Sequence, residues 1–306
     1  MTYNLVIFGV KSTSETIIKY LNRELKRPVD LIVTLSEAAA RQHHISGYQN
    51  LQPLAAELGI KCHLLDDYSL MEEKEKGFWQ ANDFNLGIAY GWQRLIPADV
   101  LARFSIGVFG WHGSAQYLPA GKGHSPLNWS LLEDRKIFHN HLFKYVGGAD
   151  AGPIFNIKDF EINQHDNIAT LQYKSILTAQ SQIKELLEAG DKQNIQLSVQ
   201  SGKSSFYPKR TPQDGRLDFK RPTLEIYNLI RATAAPFPGA FCFFGQNQVT
   251  VWEAYPFDSL MDFSKYKIGQ VIETINDWPV VKTTDGSLII KNYEAQQRLQ
   301  KGDQLN

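Results

Sequence analysis

Histidine, aspartate and glycine crowd one stretch of this chain. Between Ile106 and Ile154 the sequence reads IGVFGWHGSAQYLPAGKGHSPLNWSLLEDRKIFHNHLFKYVGGADAGPI, and four of the eight histidines, His112, His124, His139 and His141, fall inside it. A Gly/Pro-rich loop separates the first two, and a GGADAG turn closes the segment. Glycine at this density marks backbone in unusual conformations or close to a ligand. An imidazole and a carboxylate at one cleft are the minimal apparatus for proton transfer, since the carboxylate fixes the tautomer and raises the basicity of the ring. His112 and Asp150 are the candidate pair. A loop histidine and a turn-forming aspartate would be spelled with the same letters.

The elements around the pair must bring it together. An apolar strand from Ile106 to Phe109 puts His112 on the loop at its carboxyl end, and after a short helix a second strand from Phe138 to Val146 leads into the turn that holds Asp150. In an open α/β sheet ligands bind at the carboxyl ends of strands. The upstream pattern supports such a sheet. Residues 4–9 are an apolar run ending in glycine, Ile17, Ile18, Leu21 and Leu25 give helical periodicity over 14–26, and residues 30–34 form the next strand. LQPLAAELG reads as a helix stopped by Gly59, with the strand IKCHLL after it, and residues 83–101 give a strand, a glycine-interrupted loop and a Pro-started helix. On HNHLFKYV, period-two alternation puts His139, His141, Phe143 and Tyr145 on one face and Asn140, Leu142, Lys144 and Val146 on the other. Residues 166–190 form one long amphipathic helix, with Asp166 as N-cap and Gly190 as stop. The first turn, GVKSTSE, is no dinucleotide fingerprint, and no Walker pattern occurs, which disfavours nicotinamide and ATP.

A chain of 306 residues has room for a large domain and a small one. Lys plus Arg equals Asp plus Glu at 32 each, so no broad electrostatic footprint for nucleic acid is visible. Cys62 and Cys242 form no motif, and neither a disulfide framework nor a zinc site is expected. The first residues enter an apolar strand with no basic leader, and no run approaches the ~20 apolar residues of a membrane span, so the expected location is cytoplasmic, without membrane insertion. The Gly-, Ser-, Pro- and charge-rich stretch 201–219 reads as a linker between a domain at 1–200 and a smaller one at 220–306.

At this point a resemblance becomes specific. HGSAQYLPAGKGHSPLNWSL followed by ADAGPI resembles the folate-dependent formyltransferase family, and the LNW and ADAG details look most like the enzyme domain that formylates UDP-4-amino-4-deoxy-L-arabinose and related sugar N-formyltransferases. The resemblance implies a Rossmann-like, doubly wound, mainly parallel sheet of the formyltransferase fold, followed by a small OB-like β-barrel. It implies 10-formyltetrahydrofolate as co-substrate, no metal, and a nucleotide-linked amino sugar as partner, with no nucleic acid. A homo-oligomer is compatible with it. His112 matches the family histidine and Asp150 the family aspartate. Leu86, Ala89, Tyr90, Gly91, Gly147, Gly148 and Ala149 would hold the pterin. Ser114, Lys122, His124, Asn128 and Arg210 would meet the acceptor, and Lys209 and Arg231 are further candidate anion contacts. Packing beneath a loop is the competing reading for Tyr90 and Trp92, Trp129 reads as core, and solvated loop charge is the alternative for Lys122 and His124.

One position departs from the family. Its asparagine is Gly110 here, and the loop after His112 is about two residues longer than the pattern. An oxyanion donor is worth about 10²–10³ in turnover. The expected substitute is His141, which stands where the family usually carries threonine and is expected near Asp150. A reshaped loop amide is the second choice. The hydrolase-like domain of formyltetrahydrofolate dehydrogenase also resembles the family and lacks the asparagine, so transfer to water or a thiol is the enzymatic alternative. A folate- or nucleotide-sugar-binding protein without catalysis is the non-enzymatic one. Formylation of an initiator tRNA fits a neutral chain less well.

Overall fold

Alternate side chains of the first strand go to two different apolar clusters. In β1 (Leu5–Phe8), Leu5 and Ile7 belong to one, and Val6 and Phe8 to the other. A strand buried on both faces belongs to a sheet covered by helices on both sides. The computed structural model describes residues 4–45, 47–190 and 194–306.

The sequence continues through α1 (Ser12–Lys19), β2 (Leu31–Leu35), α2 (Glu37–Gln42), α3 (Gln52–Leu58), β3 (Lys61–Leu65), α4 (Glu73–Ala81), β4 (Phe84–Ala89), α5 (Ala98–Leu101) and β5 (Phe104–Ser114). Then come β6 (Lys122–Gly123), α6 (Pro126–Leu132), β7 (Ile137–Lys144), β8 (Ile154–Glu161) and α7 (Ile168–Ala189). Seven strands form one sheet in the order β3-β2-β1-β4-β5-β7-β8. Its first five are parallel, while β7 runs antiparallel to β5. The chain winds outward from β1 to β3 and returns to β4 on the other side of β1. The switch point therefore opens between the carboxyl ends of β1 and β4.

Ile17 and Ile18 of α1, Leu54 of α3 and Ile183 of α7 cover one face, and Ala39 of α2, Trp79 of α4 and Val100 of α5 cover the other. On the second face Phe8 meets Trp79, Trp92 and Phe104 at centroid distances of 5.9, 5.8 and 5.9 Å. The indole N–H groups of Trp79 and Trp92 are buried there without a hydrogen-bond partner among the described residues. Gln182 of α7, fully buried, accepts from Trp111 Nε1 at 2.8 Å and donates to the Asn140 carbonyl at 2.7 Å, which fixes the helix against β5 and β7. As expected, Gly59 ends α3 in the left-handed conformation, and the helix begun by α1 extends through a π-helical turn at Tyr20–Glu24.

Contacts divide the chain into two units. The first holds Met1–Lys122, His139–Phe160 and Lys174–Ser205, and the second holds Gly123–Phe138, Glu161–Tyr173 and Phe206–Asn306. The division is not one cut near residue 200. Much of the stretch 201–219 is structured: β9 (Phe206–Tyr207) pairs with β6, Pro212–Gly215 form a 3₁₀ turn, and Leu217 and Phe219 join the second unit's core.

That unit carries α8 (Thr223–Thr233) and an antiparallel sheet built from β10 (Ala240–Phe244), β11 (Asn247–Asp258), β12 (Val271–Ile275), β13 (Trp278–Lys282) and β14 (Ser287–Glu294), in the order β10-β11-β14-β13-β12. The last residues stitch its two edges together. Phe243 and Asn306 exchange two backbone hydrogen bonds, Val271 donates to the Asp303 carbonyl, and Leu305 donates to the Gly269 carbonyl. Pairing both edges this way closes the small barrel and leaves neither as a template for aggregation. No described helix is long and apolar enough to cross a membrane.

Candidate active site

His112 lies within β5, opposite His141 of β7, and not on a loop beyond the strand. The glycines at 110 and 113 hide the strand's length in the sequence. Its backbone is nevertheless paired with β7 from Phe109 to Ser114. The imidazole is 8 % exposed, with Nδ1 3.2 Å from Asp150 Oδ2 and Nε2 donating to the Gly121 carbonyl at 3.0 Å. A carbonyl only accepts, so the bond to Gly121 needs a proton on Nε2, while the carboxylate lies at ion-pair distance from Nδ1.

Asp150 reaches the ring from a constrained turn. Its φ is +48°, a left-handed conformation that aspartate tolerates better than most residues. Gln200 Nε2 donates to the carbonyls of Asp150 and Gly152 at 2.8 Å each and clamps the turn from fifty residues away. At Gly152 a β-carbon would lie 1.6 Å from the Lys144 carbonyl oxygen. Only glycine lets the turn pass this close to the strand before it.

The structure does not give His141 the part expected of it. Nδ1 donates to the His112 carbonyl at 3.0 Å, and Nε2 accepts from the Leu118 N–H at 3.3 Å. Those two bonds fix the neutral tautomer, and burial lowers the ring's pKa from 6.5 to about 4. With both nitrogens committed to backbone, and the side chain fully buried, His141 has no donor left for an oxyanion. It braces the loop that follows His112. Nearby, His139 Nδ1 lies 2.7 Å from Asp159 Oδ1, and Tyr117 stacks on the His139 ring at 4.0 Å.

The residues expected to hold a pterin divide into two sets. Leu86 sits in mid-strand, paired with Leu5 and Gly107 and 2 % exposed, so neither its backbone nor its side chain faces a cleft. Tyr90 follows the packing alternative: its ring meets Trp111 edge-on at 5.1 Å, and burial pushes its phenol up to about 12. Ala89, the Tyr90 backbone and Gly91 stand at the carboxyl end of β4 beside the switch point. The Tyr90 carbonyl accepts from Ser14 Oγ at 2.5 Å, and Gly91 has φ +75°. A β-carbon on Gly91 would sit 3.2 Å from that of Lys11, a half-buried cation at the same crevice that the sequence reading passed over. Gly147, Gly148 and Ala149 form the turn before Asp150, and a β-carbon on Gly147 would meet nothing within 4 Å.

The expected acceptor contacts also separate. In the first unit, Ser114 is fully buried and accepts from the Gln116 N–H, and Lys122 is buried. In the second unit His124 is exposed, whereas buried Asn128 donates to the Ala232 carbonyl at 2.7 Å and is committed to that structural bond. Arg210 lies 5.4 Å over the Trp129 ring and donates to the Asp214 carbonyl. Trp129 is half-buried and stacks on Tyr207, so it is a platform more than a core residue. Lys209 is exposed. Arg231 is 5 % exposed, donates to the carbonyls of Asn163 and Asp166 and to Asn228 Oδ1, and lies 3.5 Å from Asp134 Oδ1, so the anion it meets is a carboxylate of its own unit.

Among the described residues no group of three or more His, Cys, Asp or Glu is arranged to hold a metal ion. Residues 209–305 match the family model described as formyl transferase, C-terminal domain. An N-formyltransferase from Helicobacter canadensis, solved with folinic acid and dTDP-3-aminofucose, superposes with a TM-score of 0.67 at 16% identity, over 94% of this chain and 99% of that one. HypX from Aquifex aeolicus in complex with tetrahydrofolic acid gives 0.62 at 18% identity, over 97% of this chain and 45% of that one. This chain thus spans less than half the length of HypX. A methionyl-tRNA formyltransferase from Clostridium thermocellum gives 0.57 at 17% identity, over 96% and 99%.

The fold is therefore the formyltransferase fold, a Rossmann-like sheet domain followed by a small barrel.

Proposed function

We propose that the chain is an N-formyltransferase that moves the formyl group of 10-formyltetrahydrofolate to the amine of a nucleotide-linked amino sugar, in the building of a bacterial surface polysaccharide. The observation that carries the reading is the His112–Asp150 contact of 3.2 Å at the carboxyl end of a formyltransferase sheet. The backbone of Ala89–Gly91 and the turn Gly147–Ala149 hold the pterin. Once His112 Nε2 has given its proton to solvent and parted from the Gly121 carbonyl, the ring, with Nδ1–H toward Asp150, receives the proton of the attacking amine on Nε2, and the carboxylate holds the resulting imidazolium in register. Lys122, on the loop that follows His112, supplies a cationic contact to the acceptor. The two neighbours solved with folate ligands support the co-substrate, and the one solved with an aminofucose nucleotide supports the acceptor class.

A second reading, release of formyl to water, rests on Gly110, which by the resemblance stands where the family carries its asparagine, a residue that the hydrolase-like relatives also lack. Transfer to tRNA is weaker, since cationic and anionic side chains balance at 32 each. Consumption of 10-formyltetrahydrofolate with and without a panel of nucleotide-linked amino sugars separates these readings. Turnover that needs an amine supports transfer, turnover without one supports hydrolysis, and no turnover with any acceptor would sink the enzymatic reading.

A further inference from the structure

The space that Gly110 leaves is filled, and the group that fills it is a phenol. A β-carbon built on Gly110 would lie 2.3 Å from Cε1, 2.6 Å from Cζ and 2.7 Å from the hydroxyl of Tyr145. The tip of Tyr145 therefore stands where a side chain at position 110 would begin. The register explains why. Gly110 pairs with Phe143 and His112 with His141, and the Tyr145 N–H donates to the Val108 carbonyl at 2.7 Å, so Tyr145 shares its sheet face with His112 and leans along that face over the glycine. Its ring is held by stacking on Phe143, at 5.4 Å and 21°. Its hydroxyl makes no hydrogen bond with a described residue, although the side chain is half-buried. A half-buried phenol without a partner, two positions along one strand face from the candidate base, is a donor waiting for an acceptor.

The geometry points to Tyr145 as the oxyanion donor of the formyl-transfer reaction, taking the place of the side chain that Gly110 lacks; this rests on the formyltransferase reading above. In the step it serves, the amine lone pair forms a bond to the formyl carbon and the carbonyl π pair moves to oxygen. The Tyr145 O–H hydrogen-bonds that oxygen and keeps its own proton. The amine proton passes to His112. The carbonyl then re-forms, the bond from carbon to the folate N10 breaks, and N10 keeps the electron pair and takes a proton. Burial, and after it the Asp150 carboxylate, push the phenol's pKa up, so it remains a donor across the working pH range.

The experiment compares the wild type with Tyr145→Phe, Gly110→Asn and the double variant Gly110→Asn/Tyr145→Ala in 10-formyltetrahydrofolate turnover. Tyr145→Phe keeps the stacked ring and loses only the hydroxyl. Its kcat is expected to fall about 10- to 1000-fold while KM for the folate stays within about threefold. Gly110→Asn alone collides with the ring and fails to help, whereas the double variant makes room for the amide and recovers most of the lost kcat. A Tyr145→Phe enzyme with wild-type kcat overturns the assignment and leaves formyl transfer standing. A loss confined to KM, or a double variant with no recovery, assigns the tyrosine to binding or packing and overturns it as well. A wild type without turnover overturns formyl transfer, and the assignment with it.

Discussion

At the scale of single residues, the site contains two histidines opposite one another with different tasks. His112 faces a carboxylate and one loop carbonyl, whereas His141 is spent on backbone at both nitrogens. His112→Ala and Asp150→Asn are each expected to lower kcat/KM by about 10²–10⁴ in the turnover assay. Near-normal rates in both would remove the pair from the chemistry. His141→Gln is expected to leave far more activity and to change the acid limb of stability instead. The sign follows from the direction of its shift. The unfolded ring titrates near 6.5 and the folded one near 4, so as pH falls below 6.5 the unfolded chain takes up a proton that the native ring refuses. Stability is lost progressively, by up to roughly 3 kcal/mol at pH 4. Urea melts at pH 7.5 and pH 4.5 should therefore differ more for the wild type than for His141→Gln, and equal differences would contradict the buried neutral ring.

At the scale of elements, the turn between β7 and β8 does the positioning. Gly152→Ala forces a β-carbon toward the Lys144 carbonyl, and a forced fit of this kind costs about 1–3 kcal/mol. Its melt should show that loss and its turnover should fall with it, because Asp150 rides on the same turn. An unchanged melt would mean that the backbone steps aside freely. The sequence made His112, Asp150 and the alternation of HNHLFKYV legible, since those depend on local spacing and on a period of two. It could not reveal that Gln200 clamps the turn or that Tyr145 lies over Gly110. Both depend on which distant backbone groups pair, and that is settled by strand register and tertiary packing. The same limit explains Leu86 and Asn128, whose letters suit a ligand site while their neighbours in space use them for structure.

At the scale of the whole molecule, βαβ periodicity and the alternating apolar strands disclosed the parallel sheet, because burial on both faces leaves a mark in composition. The stretch 201–219 was harder to read. Its glycines and prolines suggest a linker, yet Leu217 and Phe219 are buried in the barrel unit, and two apolar anchors among turn residues leave little pattern. The barrel depends on its last residues. Leu305, 2 % exposed and bonded to Gly269, should cost about 2–5 kcal/mol when truncated to Ala, measured by thermal or urea unfolding. A smaller loss would mean that the edges hold without the tail. The aromatic nest under β1 has a practical consequence of another kind. Trp79 and Trp92 are shielded from water and their indole N–H groups have no partner among the described residues, so their share of the emission of the six tryptophans is expected toward the blue, with a shift to the red when the sheet domain opens. A substitution at Tyr145, His112 or Gly152 that silences turnover while that emission stays blue has altered chemistry, and one that reddens it has unfolded the protein.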